Sequence, residues 1–276
     1  MPAVTDVPQL TAHVFAPEGA ETGRPVLLIH GFASSTELNW VATGWVKYLN
    51  DAGRRVVAVD LPGHGQTPLD GPDASAPVPS LLRAGIRRAA LEALGHGGDV
   101  TAAGTDGRAA ATEGLVDVVG YSFGARLAWG LAADYPELVH QLVLGGAAAT
   151  DPLADFDVPE ARAVLASGDD AARMSDPVSD ALLQMAQLVP SNDVDALLRV
   201  IEAVGAEPFT PGQSVPQQPV LLVAGQRDEL AETMPRLTEL ARGAGGAEEL
   251  WLPARTHSNA VTSRAFKQAA LEHFAS

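Results

Sequence analysis

Short apolar runs recur along the chain, with amphipathic stretches between them. "VLLIH" at 26–30, "RVVAVD" at 55–60, "LVDVVG" at 115–120, "QLVLGG" at 141–146, "PVLLVAG" at 219–225 and "EELWLP" at 248–253 are β-branched or leucine-rich. Most lack the apolar/polar alternation of a half-exposed strand, which predicts strands covered on both faces. An additional edge strand is expected around His13. Between the runs, a helical period predicts helices at 40–52, 80–94, 123–134, 230–242 and 260–274. In "SLLRAGIRRAALEAL", Leu82, Ile86 and Leu94 share a face that Ala89 and Ala90 help to fill, and Ser80 stands where an N-cap would be. Strands alternating with helices predict an α/β fold, a mostly parallel central sheet flanked by helices on both sides.

Two stretches break this rhythm. Residues 95–114, "GHGGDVTAAGTDGRAAATEG", carry no periodicity and are expected to form a surface insertion. Residues 151–212 contain the apolar helical pieces "DALLQMAQLV" and "VDALLRVIEAV", bounded by Pro190, Pro208 and Pro211. They predict a helical excursion large enough to be a lid, on a core domain made of 1–150 and 213–276.

Composition narrows the class. A chain of 276 residues with 46% hydrophobic and 19% charged residues is expected to fold as a soluble protein with a sizeable core. Its formal charge of -16 repels phosphate backbones and anionic headgroups, so neither nucleic acid nor a membrane is expected as a partner. The absence of cysteine removes disulfides, thiol nucleophiles and thiolate metal sites. No stretch approaches the ~18 apolar residues of a membrane span, and the start lacks a basic n-region, so a cytoplasmic location is the default expectation.

The candidate chemistry lies in "VDVVGYSFGARLAWG", residues 116–130. Here Gly120-Tyr121-Ser122-Phe123-Gly124 joins an apolar strand to an amphipathic helix, the context that a G-x-S-x-G nucleophile turn requires. Such a turn projects the serine hydroxyl above the sheet, and the small residues two positions either side let the backbone make it. Serine is a weak nucleophile at neutral pH and needs a base, which in turn needs an orienting carboxylate.

With "GYSFGA", three further stretches occur in order: "LLIHGFASSTELNW", "VVAVDLPGHGQT" and "LLVAGQRDEL". Together they make the chain resemble the α/β-hydrolase superfamily over nearly its whole length. The resemblance implies the α/β-hydrolase fold with a helical lid inserted after the sixth strand. It implies Ser122 as nucleophile, Asp228 as the acid after "VLLVAG", and His257 in "LPARTHSNAV" as the base. Asp151, after the preceding strand, is the alternative acid, because some members place it there. The backbone N–H groups of Phe32 and Phe123 would form the oxyanion hole, and both phenylalanines would wall the site with apolar surface.

The other six of the seven histidines have structural readings. His30 and His64 fall inside the shared motifs, where hydrogen bonding is expected. His13, His96, His140 and His273 are expected at the surface. Neither H-E-x-x-H nor a dinucleotide loop occurs, so no metal and no cofactor are expected. The function implied is a serine hydrolase, foremost a carboxylesterase for small to medium acyl or aryl esters. An aminopeptidase, a lactonase, a carbon–carbon bond hydrolase or a perhydrolase could use the same triad, and a non-catalytic small-molecule sensor could keep it. The 12 acidic residues and 3 arginines of 151–212 suit a solvated acidic face better than an ammonium pocket.

Overall fold

The computed structural model describes residues 7–69, 71, 74–96 and 115–276, so most of the expected insertion at 95–114 lies outside the described residues. Seven strands are described: β1 (Thr11–Phe15), β2 (Val26–Ile29), β3 (Val56–Asp60), β4 (Val116–Tyr121), β5 (Val139–Gly145), β6 (Val220–Gly225) and β7 (Ala247–Leu252). They form one sheet in the order β1-β3-β2-β4-β5-β6-β7, and only the β1–β3 pair is antiparallel.

The continuous apolar runs have the structural cause that their pattern predicts. Alternate residues of each central strand enter different cores. Leu27, Ile29, Val57, Val59, Val118, Leu142, Leu144 and Leu222 pack with α2 (Pro79–Ala93), α3 (Phe123–Asp134) and α7 (Met234–Arg242). Val26, Leu28, Val56, Ala58, Val119, Val143 and Val223 face α1 (Trp45–Asp51) and α9 (Arg264–His273), where Trp45, Leu49 and Phe266 are fully buried. At about 1.5–3 kcal/mol for each large side chain removed from water, both layers contribute to stability, and polar residues within the strands, such as Asp60 and Asp117, are buried with hydrogen-bond partners.

Several helices differ locally from their predicted spans. The expected helix at 40–52 is interrupted by Gly44, whose φ of 79° is left-handed. A wide π turn over Glu37–Val41 precedes the break and α1 follows it. The expected helix at 260–274 divides into α8 (His257–Ala260) and α9, because Ser263 is extended between them. Ser80 is not an N-cap. Pro79 opens α2 after an extended Val78, and Ser80 instead donates from Oγ and from its backbone N to the Glu207 carboxylate at 2.6 and 3.2 Å.

The helical excursion comprises α4 (Val158–Ser167), α5 (Pro177–Leu188) and α6 (Val194–Ala206). It leaves the sheet after β5, the fifth strand among the described residues, rather than after a sixth, because only β1 precedes Val26 there. Its acidity has a local explanation. Asp157, Asp176 and Asp193 cap the three helices, each accepting a backbone N–H three residues on, which is worth ~1 kcal/mol per cap. Among the described residues no helix is long and apolar enough to cross a membrane.

The strand order places a site. β2 sits between β3 and β4, so the chain leaves the carboxyl ends of β2 and β4 toward opposite sides of the sheet. The crevice between those ends is where open α/β sheets bind ligands.

Candidate active site

Ser122 stands at that crevice, between β4 and α3, with φ 54° and ψ -117°. A non-glycine residue at positive φ is strained by about 1–3 kcal/mol and persists only where its surroundings hold it. The two glycines of the motif supply that hold by close approach. A Cβ on Gly120 would lie 2.5 Å from the Gly124 carbonyl oxygen, and one on Gly124 would lie 2.1 Å from the Ile29 carbonyl oxygen. Strand and helix therefore cross closely enough to turn the serine out of the sheet.

The structure brings Asp228 and His257 to this serine from the ends of β6 and β7. The Ser122 hydroxyl lies 2.9 Å from His257 Nε2, and His257 Nδ1 is 2.9 Å from both Asp228 oxygens. A carboxylate there favours the tautomer with the proton on Nδ1, which leaves Nε2 as acceptor for the hydroxyl. The Asp228 side chain is withdrawn from solvent and also accepts the Leu230 N–H at 3.1 Å. His257 is the first residue of α8, and a capping box between Thr256 and Asn259 fixes that start.

Tyr121, for which the sequence alone suggests no role, supports the histidine. Its hydroxyl donates to the His257 carbonyl at 2.5 Å, and its ring lies 5.6 Å from the imidazole. Burial, with the nearby charge of Asp228, pushes the phenol up, so it remains a donor. Only an aromatic residue closing an apolar strand next to the serine hinted at this. The 136-residue separation hides its partner.

The loop after β2 is pinned on both sides of Phe32. Gly31 N–H donates to Asn39 Oδ1 at 3.3 Å, and Ala33 N–H donates to His64 Nε2 at 3.0 Å. Phe32 N–H, like Phe123 N–H at the start of α3, has no protein acceptor among the described residues. The histidines of this loop network act as hydrogen-bonding groups. His30 Nε2 accepts the Leu61 N–H at 3.0 Å, and the Phe32 ring meets His64 edge-on at 5.9 Å. Burial, reinforced by His30, holds His64 down to about 3, and burial also lowers His30, so both stay neutral acceptors. Asp60 accepts the Thr36 and Gln66 N–H groups at 2.7 and 2.8 Å. His13 and His140, expected at the surface, are half-buried instead and bonded to Asp60 and Asp117 at 3.0 and 2.9 Å. A carboxylate that is itself withdrawn from water recruits them.

Ser122 and His257 open onto a cavity of about 50 Å³ walled by Phe32, Phe123, Leu153, Leu182, Met185 and Phe209, room for a few water molecules. Asp151 reaches this cavity but not the imidazole: it pairs with Arg126. The geometry thus joins Asp228, rather than Asp151, to His257. Among the described residues no group of three or more His, Cys, Asp or Glu side chains is placed to hold a metal.

Known proteins with this arrangement of strands and helices are numerous. BpoC, a candidate non-heme bromoperoxidase of Mycobacterium tuberculosis, superposes with a TM-score of 0.69 at 19% identity, over 98% of this chain and 96% of its own. The enol-lactonase of Burkholderia xenovorans gives 0.65 at 19%, over 97% and 96%. A carboxylesterase of the thaumarchaeon Nitrososphaera gargenis gives 0.65 at 18%, over 100% and 97%. At such identities the likeness is one of fold. No curated protein sequence matches the chain. The alpha/beta hydrolase fold family, however, matches residues 24–180, more than half the chain and the stretch that carries the Phe32 loop and the Ser122 turn. The chain therefore belongs to the alpha/beta hydrolase fold family.

Proposed function

We propose that this protein is a serine hydrolase of carboxylic esters with short acyl groups. The observation that carries the reading is the continuous hydrogen-bonded relay from Ser122 Oγ through His257 to Asp228, opening on a cavity walled mainly by apolar side chains. His257 takes the hydroxyl proton as Ser122 attacks the ester carbonyl, Asp228 stabilises the imidazolium, and the Phe32 and Phe123 N–H groups receive the oxyanion. The imidazolium then protonates the leaving alcohol. Water, deprotonated by the same imidazole, attacks the acyl-enzyme and releases the acid.

The helices of 151–212 act in this reading as a lid on a core of 1–150 and 213–276, since Leu182 and Met185 of α5 close the cavity wall. Its small volume favours short acyl chains. Lactones form the second class to examine, because the enol-lactonase and the carboxylesterase above share the fold. The test is labelling with a fluorophosphonate, followed by turnover of p-nitrophenyl acetate and a lactone panel. Stoichiometric labelling at Ser122 is expected, and Ser122→Ala should lose both labelling and turnover. Full turnover by Ser122→Ala would end the proposal.

A further inference from the structure

An ion pair, Arg126 with Asp151, stands in the wall of this mainly apolar cavity, which Thr150 also lines. Arg126 lies one helical turn beyond Ser122 on α3, and its side chain is 9% exposed, that of Asp151 8%. Burial pulls the guanidinium down to about 10, which leaves it protonated at neutral pH. Such a pair is rarely favoured over apolar packing of the same volume, so its presence beside the nucleophile calls for a use.

The count of donors and acceptors says which use. Each Asp151 oxygen has one partner, Oδ1 the Leu153 N–H at 3.1 Å and Oδ2 Arg126, which fills two of a carboxylate's about four acceptor sites. Arg126 has five N–H donors. One meets Asp151 and another meets the Glu207 carbonyl at 2.5 Å, while the Phe209 ring packs 5.5 Å from the guanidinium carbon. Three donors then remain against about two acceptor sites, so the net surplus of the pair is in donors, which suits an oxygen acceptor better than an ammonium group. Because Asp151 already balances the charge, a carboxylate would be repelled by it, whereas a neutral carbonyl oxygen would not. The leaving alcohol must face His257 to be protonated, so the acyl group extends to the other side, along α3. A helical turn rises about 5.4 Å, which puts the acceptor a few carbons from the scissile carbonyl.

We infer that Arg126 selects acyl groups bearing a second, neutral carbonyl oxygen, such as oxo-acyl esters, an inference that rests on the serine hydrolase reading and specifies its substrate class. The experiment compares p-nitrophenyl pentanoate, 4-oxopentanoate and the half-ester of succinic acid, each kcat/KM divided by the rate with hydroxide. Enzyme is counted by fluorophosphonate titration, so partial unfolding cancels. In the wild type the oxo ester should be preferred over the pentanoate about tenfold, the size expected for one hydrogen bond to a charged donor, and the succinate should rank last. Because Arg126→Met alone would strand Asp151, the variant is Arg126→Met with Asp151→Asn, in which the preference should fall to about one. Arg126→Lys should lose most of it, because lysine lacks the planar fork. An unchanged ratio in the double variant, or a wild-type preference for the pentanoate or succinate, overturns the inference while leaving the hydrolase intact. A wild type that neither labels nor turns over any of the three esters overturns the hydrolase reading itself.

Discussion

Replacing Tyr121 by phenylalanine deletes one oxygen and keeps the ring. The hydroxyl donates to the His257 carbonyl at 2.5 Å, within a residue that is only 4% exposed, so no water replaces it freely. The packing of the ring against Phe266 and the imidazole, at 6.4 and 5.6 Å, is retained. What is lost is the bond, and the carbonyl left without its donor should cost about 1–3 kcal/mol of stability. That carbonyl belongs to the residue whose imidazole must stay 2.9 Å from both Ser122 and Asp228. If about half of the loss, about 0.5–1.5 kcal/mol, is felt as misplacement of the ring, kcat falls about two- to tenfold, since 1.4 kcal/mol is a factor of ten. Urea unfolding followed by tryptophan fluorescence measures the first quantity. Turnover of p-nitrophenyl acetate per titrated site measures the second, with KM expected within about twofold. A Tyr121→Phe protein that loses stability but keeps its kcat would show the bond to be structural only. One that loses neither would refute the hydrogen bond.

Asp228→Asn is expected to reduce kcat by about 10⁴, by favouring the wrong imidazole tautomer, while Asp151→Asn should cost far less; the reverse order in per-site kcat would exchange their roles. In Gly124→Ala the new Cβ would meet the Ile29 and His30 carbonyl oxygens at 2.1 and 2.5 Å. Neither backbone group can yield cheaply, so at least 1–3 kcal/mol of stability and most fluorophosphonate labelling should be lost, and labelling at the wild-type rate would contradict the close crossing. Stability should also decline with acidity. Burial holds His64 down to about 3 and also lowers His30, so below 6.5 an unfolded chain binds protons that the folded one refuses. The resulting loss begins as pH falls through about 6.5 and approaches ~1.4 kcal/mol per pH unit for each histidine. Burial opposes ionisation of Asp60, but the Gln66 and Thr36 N–H groups, with the His13 hydrogen bond and His30, together hold the carboxyl low, so its contribution is lost only below the usual carboxylate range. Urea titrations between pH 7.5 and 4 check the slope, and a flat profile would contradict the neutral pair.

The site was legible in the primary structure where chemistry is tied to local backbone. Gly120 and Gly124 flank Ser122 because the turn from strand to helix has no room for a Cβ, a constraint set within five residues. Central strands were legible for a similar reason: a strand covered on both faces is apolar at nearly every position, as in the runs at Val26 and Val220, while Asp60 and Asp117, the exceptions in the runs at Val56 and Val116, are buried against hydrogen-bonding partners. Helix boundaries were less so. Gly44 at positive φ divided one expected helix, and Ser80, a good cap by type, was drawn to Glu207 from 127 residues away.

By itself the sequence determined the α/β alternation, the turn that presents Ser122, and the chain order of serine, aspartate and histidine, since each follows from local periodicity or local sterics. Only the tertiary structure decided that Asp228 rather than Asp151 meets His257, that Tyr121 braces that histidine, and that Arg126 and Asp151 stand paired in the cavity wall. These choices depend on which loop ends the sheet order brings within about 3 Å of one another, and hydrogen bonds of that length between distant residues leave no periodicity to read.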